Sequence, residues 1–136
     1  KGATYITPNH KELCEMAGRS VVNDDGKIIS LGRELAVELD TTIILTRGEK
    51  GMTIIPRDRE GFSIPTKARE VYDVSGAGDT VVAMLSLALA AGVDLETSCK
   101  LANYAAGIVV GKLGTSTVTS EEVQHEIAVD IADLPV

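Results

Sequence analysis

The 136-residue chain has no tryptophan, a single phenylalanine and three tyrosines. Tyr5, Phe62, Tyr72 and Tyr104 are too few and too scattered to form the aromatic platform on which single-stranded nucleic acids stack. Positive charge is also short, with 13 Lys and Arg against 20 Asp and Glu and a net charge of −7. Without a basic stripe the chain cannot displace counterions from a phosphate backbone, which argues against a nucleic-acid partner. No apolar run approaches the roughly 20 residues of a membrane span, so no membrane partner is expected. The opening Lys1-Gly2-Ala3-Thr4-Tyr5 has neither the apolar core nor the cleavage pattern of a signal peptide. Cysteine is limited to Cys14 and Cys99, whose separation suits neither a disulfide framework nor a metal knuckle. Both are expected as reduced, partly buried thiols of a cytoplasmic protein. His10 and His125 have no partner at a telling spacing and are expected at the surface. Gly and Pro, 13 and 4, exclude collagen-like and low-complexity chains, and a 44% hydrophobic share is that of one globular domain.

What is present alternates strands and helices. Ala3–Thr7 reads as a strand, Thr7-Pro8-Asn9 as its end and the capped start of a helix that stops at Gly18. Asn23-Asp24-Asp25-Gly26 reads as a turn capping a helix striped with Ile28, Ile29, Leu31, Leu35, Ala36 and Leu39. The β-branched run Thr41–Thr46 predicts a strand buried on both faces, followed by a turn over Arg47–Gly51 and a second strand over Met52–Ile55. Gly61–Pro65 and Glu70–Val74 read as short extended pieces. Thr80–Ala91 predicts an apolar helix buried on most sides, and Leu95–Val110 a helix with a small-residue face at Ala102, Ala105, Ala106 and Gly107. After a loop over Lys112–Thr117, Ser120 starts a last amphipathic helix. The order implies an α/β fold with helices covering a buried sheet. The chain opens almost inside a strand, so a further segment is expected upstream. Without it the sheet would expose an edge and an apolar face, and the chain would associate with its other half or another copy as a homo-oligomer.

The stretch with most chemistry is Asp73-Val74-Ser75-Gly76-Ala77-Gly78-Asp79-Thr80, running into the apolar helix. Small residues there bring backbone N–H groups to an open helix N-terminus, an anion cradle at the positive end of the helix dipole. Asp79 could take the proton of an attacking hydroxyl while those amides hold a phosphoryl group; equally, Asp79 could simply cap the helix. Neither the dinucleotide fingerprint G-x-G-x-x-G nor the G-x-x-x-x-G-K-[ST] loop occurs.

Asp73–Asp79 and the helix after it resemble the C-terminal signature of the ribokinase-like sugar kinases of the phosphofructokinase-B type. Asn9-His10-Lys11-Glu12 resembles that family's Asn-x-x-Glu motif, Thr46–Gly51 its Thr-x-Gly-x-x-Gly turn, and Ala102–Gly107 its adenine-side helix. Met84 departs from the small residue many members have there, as a subfamily preference would. More narrowly, Glu70–Val74 and Gly107–Val118 are similar to the kinase domain of bifunctional heptose 7-phosphate kinase/heptose 1-phosphate adenylyltransferases. The resemblance implies a three-layer α/β/α fold, of which residues 1–136 would be the C-terminal, nucleotide-binding and catalytic part. An adenylyltransferase domain would then follow Val136.

The same resemblance implies ATP and Mg²⁺ as cofactors, a phosphosugar as second substrate, and a role for each matching residue. Asp79 would be the general base, with Gly76, Ala77 and Gly78 supplying the anion-hole amides. Glu12 would act on magnesium through water, against the plain reading of a solvated helix carboxylate. Asn9 would hold phosphate or water, cap its helix, or do both. Thr46, Gly48, Gly51 and Gly78 would lie along the nucleotide and Asn103 beside the adenine, where the first three could also be an ordinary hairpin turn. A monovalent cation such as K⁺, bound in many members, would match Asp73, Ser75, Val109, Lys112 and Gly114. Lys112 otherwise reads as a solvated loop charge. Another sugar, or nucleotide binding without catalysis, are the competing readings.

Overall fold

The computed structural model describes residues 2–133 apart from 69 and 72, and divides into two compact units, Lys1–Pro65 and Thr66–Val136. Unit one is a four-stranded sheet in the order β1-β2-β3-β4, made of Tyr5–Ile6, Thr42–Thr46, Met52–Ile55 and Phe62–Ile64. β1 runs parallel to β2, with Ile6 opposite Ile43, and the chain returns between them through α1 (His10–Met16) and α2 (Asp25–Leu39). β2, β3 and β4 are antiparallel neighbours, with Ile43 opposite Ile55 and Ile54 opposite Phe62. Leu13 of α1 and Ile28, Leu31, Leu35 and Ala36 of α2 form one core with Ile43, Leu45 and Ile55. Ile44 and Ile54 are also fully buried, so the two central strands are covered on both faces, as the unbroken β-branched run requires. Truncating one of these core side chains to Ala costs about 2–5 kcal/mol.

Unit two is helical: α3 (Ala77–Ala90), α4 (Leu95–Val110) and α5 (Ser120–Ala132). α3 lies along α4 and buries Val81, Leu85 and Ala88. It is not buried on most sides, because Val82 and Leu87 are 45% and 67% exposed. An all-round apolar sequence cannot by itself say how many neighbours a helix has; here α4 covers one stripe. The helix also begins three residues before the predicted Thr80, since Ala77 and Gly78 join its first turn. The small-residue face of α4 has a steric reason: a Cβ on Gly107 would stand 3.1 Å from the backbone of Lys67 and Ala68. Tyr104 donates to Asp130 Oδ2 at 2.6 Å, and Lys67 pairs with the same oxygen, tying α4 to α5. The hydrogen bond to Asp130 is the main reason that both the Lys67 ammonium and the Tyr104 phenol titrate above their ordinary values.

Glu70, Val71, Asp73 and Val74 lie in no strand, and Tyr72 of that predicted extended piece falls outside the described residues. Among the described residues no helix is long and apolar enough to cross a membrane.

Candidate active site

In unit one the first two motifs meet at one end of the sheet. Asn9 caps α1: its Oδ1 accepts from the Glu12 amide at 2.9 Å, while Glu12 Oε2 accepts from the Asn9 amide at 2.8 Å. This reciprocal capping box fixes both side chains at the helix entrance. Asn9 also forms a parallel bridge with Thr46, whose amide donates to Pro8 O at 3.0 Å. Asn9, Glu12 and Thr46 therefore gather where β1 and β2 end at their carboxyl termini, the side on which open α/β sheets bind ligands.

The following turn is a 3₁₀ turn over Gly48–Lys50, closed by Arg47 N–H to Gly51 O at 2.8 Å and Gly51 N–H to Gly48 O at 2.9 Å. Gly48 has φ +60° and Gly51 φ +75° with ψ −129°, a pair that only glycine adopts without strain. Arg47 within it is a residue whose weight the sequence reading missed. Its side chain is 2% exposed and pairs with Asp25 Oδ1 at 2.7 Å. A lone Arg between a buried strand and a positive-φ glycine, with Asn23-Asp24-Asp25 elsewhere in the chain, was the available signal.

In unit two the Asp73–Asp79 signature lies beside the end of α4. The Asp73 amide donates to Val110 O at 3.3 Å, and a Cβ on Gly76 would stand 3.3 Å from Thr115 Cγ2. Asp73 Oδ1 accepts from the Ser75 amide at 2.8 Å. Hydrogen bonds from the Ser75 backbone and side chain, then from the Gly114 backbone, hold its carboxyl below the usual range. Val109 O accepts from the Lys112 amide at 3.0 Å. Asp73, Ser75, Val109, Lys112 and Gly114 are thus brought into one neighbourhood, whereas Lys112 Nζ turns to Glu122 Oε1 at 2.6 Å and Thr117 O at 2.7 Å. Its expected role as a solvated charge is replaced by a tie between this loop and α5.

Gly76 is the residue before α3, in the left-handed conformation at φ +80°, and no side chain caps this helix. The Ala77 amide turns back to Val74 O at 3.2 Å, while Gly78 and Asp79 occupy the next two positions, whose amides have no carbonyl behind them in the helix. Gly78 is exposed and a Cβ on it would meet nothing within 4 Å, so the chain at this position can be approached from solvent. Asp79 is exposed at the third helical position; among the described residues its carboxylate is recorded in no hydrogen bond or ion pair. It is therefore not the helix cap. Asn103, on α4, is 5% exposed.

One further expectation changes. His10 is half-buried, with Nε2 2.7 Å from Val21 O, which fixes the loop after α1. Cys14 and Cys99 are free thiols as expected, and burial pushes the Cys99 thiol up to about 12. Among the described residues no three His, Cys, Asp or Glu side chains cluster to hold a metal. A divalent cation could be taken only on isolated carboxylates such as Glu12, with water and a bound phosphate completing its shell, a pattern that suits magnesium.

The sequence model of the pfkB family of carbohydrate kinases matches residues 1–122. The bifunctional protein HldE of Actinobacillus succinogenes is 48% identical over 128 residues, 93% of this chain and 26% of its own length. That of Haemophilus influenzae (strain PittEE) has the same identity and coverage. The chain thus spans about a quarter of the length of these relatives. Among solved structures, a ribokinase from Thermotoga maritima matches with TM-score 0.80 and 26% identity, over 92% of this chain and 42% of its own. A ribokinase from Cryptococcus neoformans in complex with ADP gives TM-score 0.81 and 26% identity, over 90% of this chain and 43% of its own. The fold is ribokinase-like α/β, of which this chain is a part.

Proposed function

The chain belongs to the pfkB family of carbohydrate kinases, and from that premise we propose that it transfers the γ-phosphoryl group of ATP to the anomeric hydroxyl of D-glycero-β-D-manno-heptose 7-phosphate. The product is heptose 1,7-bisphosphate, on the way to ADP-heptose for the lipopolysaccharide core. The observation that carries the reading is the start of α3: a left-handed Gly76, no side-chain cap, and an exposed Asp79 that is recorded in no internal bond. Phosphoryl transfer asks for little covalent chemistry from the protein, so positioning and charge stabilisation do most of it. The amides expected at this turn, those of Gly76, Ala77 and Gly78, hold the transferred group with the dipole of α3 behind them; that of Ala77 would have to leave Val74 O to do so, and that of Asp79 can add to them. Asp79 takes the proton of the attacking hydroxyl as the bond from sugar oxygen to phosphorus forms and ADP leaves.

Magnesium, when bound, supplies charge neutralisation between the phosphates. Glu12 would hold it through water, since the capping box fixes the carboxylate at the α1 entrance. Asn9, Thr46, Gly48 and Gly51 line the nucleotide, and Asn103 lies on its adenine side. Asp73, Ser75, Val109, Lys112 and Gly114 offer the oxygens for a potassium ion next to the α3 start. The choice of heptose rests on the Gly107–Val118 run and on the 48% identity to the HldE proteins. The enzyme acts in the cytoplasm, where ATP is available, and these 136 residues work with the rest of a kinase domain or with another copy of the chain.

The test is ADP release by the full gene product with MgATP and heptose 7-phosphate, against ribose and fructose 6-phosphate. Turnover that depends on heptose 7-phosphate supports the assignment. Turnover with ribose alone would move the substrate, and silence with every sugar would remove the catalytic reading.

A further inference from the structure

We propose that Arg47 is a positioning residue for the nucleotide: its buried guanidinium fixes the Thr46–Gly51 turn against the Asn23–Asp25 segment ahead of α2. The proposal rests on the kinase reading above. A buried charge is costly unless it is paired and hydrogen-bonded, and this one is both. Besides the ion pair with Asp25, Arg47 donates from Nε to Asn23 Oδ1 at 2.8 Å, from one terminal nitrogen to Thr53 Oγ1 at 3.0 Å, and from the other to Asn23 O at 3.3 Å. Lys50, the second cation of the same turn, also donates to Asn23 O. Thr53 Oγ1 continues the network to Ser63 Oγ at 3.0 Å.

Stability alone does not explain such a group. Its carboxylate partner Asp25 is 75% exposed, so the pair itself adds little stability, and the β2–β3 hairpin already has its own ladder. What a planar fork adds is direction, because its five donors leave in fixed orientations. Direction matters at this turn. Gly48 and Gly51 have no side chains, so the turn meets a ligand with its backbone, and Arg47 is the rigid side chain leading from that backbone into the unit. Its anchor, Asn23, belongs to the connection between α1 and α2, and α1 starts with Asn9 and Glu12. Asn9 already meets Thr46 through the parallel bridge, so what Arg47 adds is the orientation of the Gly48–Gly51 backbone beside that junction.

The experiment titrates the β,γ-imido analogue of ATP, with magnesium, into the full gene product, alongside thermal unfolding and steady-state kinetics. Arg47→Met keeps the volume and removes the fork. It is expected to raise the Kd about tenfold, about 1.4 kcal/mol, while leaving the unfolding midpoint within a few degrees and the sugar KM within about twofold. Arg47→Lys should not rescue, since a single ammonium cannot make the forked contacts. Asn23→Ala removes one acceptor and leaves the Asp25 pair, so it should raise the Kd less, and the double variant should bind no worse than Arg47→Met alone. An unchanged Kd in Arg47→Met overturns the proposal. If that variant does not fold, an unchanged Kd in Asn23→Ala overturns it instead. A wild-type protein that binds no nucleotide removes the kinase reading and this proposal together.

Discussion

Asp79→Asn separates two jobs that a carboxylate at a helix start can do. If Asp79 is the general base, the change removes a contribution of about 10²–10⁴ in turnover. At about 1.4 kcal/mol per factor of ten, the barrier rises by about 3–5 kcal/mol. The folded state loses far less. Asp79 sits at the third position of α3, exposed and with no recorded partner, so the loss is limited to its attraction to the helix dipole. That attraction is worth about 0.3–1 kcal/mol, a shift of a few degrees in the unfolding midpoint. Affinity for MgATP should hardly move. Asp94→Ala is the matching control, because Asp94 Oδ1 accepts from the Thr97 amide at 3.0 Å as a true cap. Its loss should lower the unfolding midpoint and leave turnover intact. Both variants are read in the full gene product by coupled ADP release and by calorimetry. Near-normal turnover in Asp79→Asn, with a stability loss like that of Asp94→Ala, would refute the assignment of Asp79 as base.

Three further outcomes follow from local geometry. Gly51→Ala must place a side chain at φ +75° and ψ −129°, costing about 1–3 kcal/mol; denaturant unfolding reads the loss, and nucleotide titration should weaken with it. Gly61→Ala and Gly32→Ala both bring a Cβ to 2.3 Å from a neighbour, but the first meets the backbone carbonyl of Ile54 and the second the terminal Cδ1 of the Ile55 side chain, which can change rotamer. The first should destabilise by about 1–3 kcal/mol, and the second should stay within about 1 kcal/mol, since a helix gains from Gly→Ala; equal losses would contradict this. Cys99, with its thiol raised to about 12, should resist iodoacetamide at pH 8 in the folded protein and react once unfolded. The unfolded thiol gives up its proton near its ordinary value and the folded one does not. The stability from this group is therefore complete below about pH 9 and falls as pH rises toward 12.

Periodicity and local caps were legible in the residues because they are decided within a few positions. The β-branched run at Thr42–Thr46, the stripe of α2 and the caps at Asn9 and Asp24 need only near neighbours. Arg47 was not legible, since two of its partners, Asn23 and Asp25, lie more than 20 residues back in the chain and a local rule cannot see them. The exposure of Val82 and Leu87 was missed for a related reason: hydrophobicity says that a helix seeks cover, not how much it finds. Whether Asp79 caps or stands free was also beyond the sequence, because both readings use the same letters and differ only in where the helix begins.

That last difference bears most on function, because capping and ligand binding compete for the same amides. Among the five described α-helices, four have a side-chain cap: Asn9 for α1, Asp24 for α2, Asp94 for α4 and Thr119 for α5. α3 has Gly76 in that place and no cap. Glycine in that place costs only a few tenths of a kcal/mol relative to Ser, Thr, Asp or Asn, so leaving α3 open is cheap. Gly76→Asp or Gly76→Ser puts a polar side chain beside the place where an anion is meant to sit, while adding the strain of a side chain at φ +80°. If the open amides exist for a phosphoryl group, either variant should depress turnover beyond what its loss of stability explains, and Gly76→Asp more than Gly76→Ser because its charge repels the phosphate. Equal effects of the two, scaling only with stability, would mean that the start of α3 is a turn and nothing more.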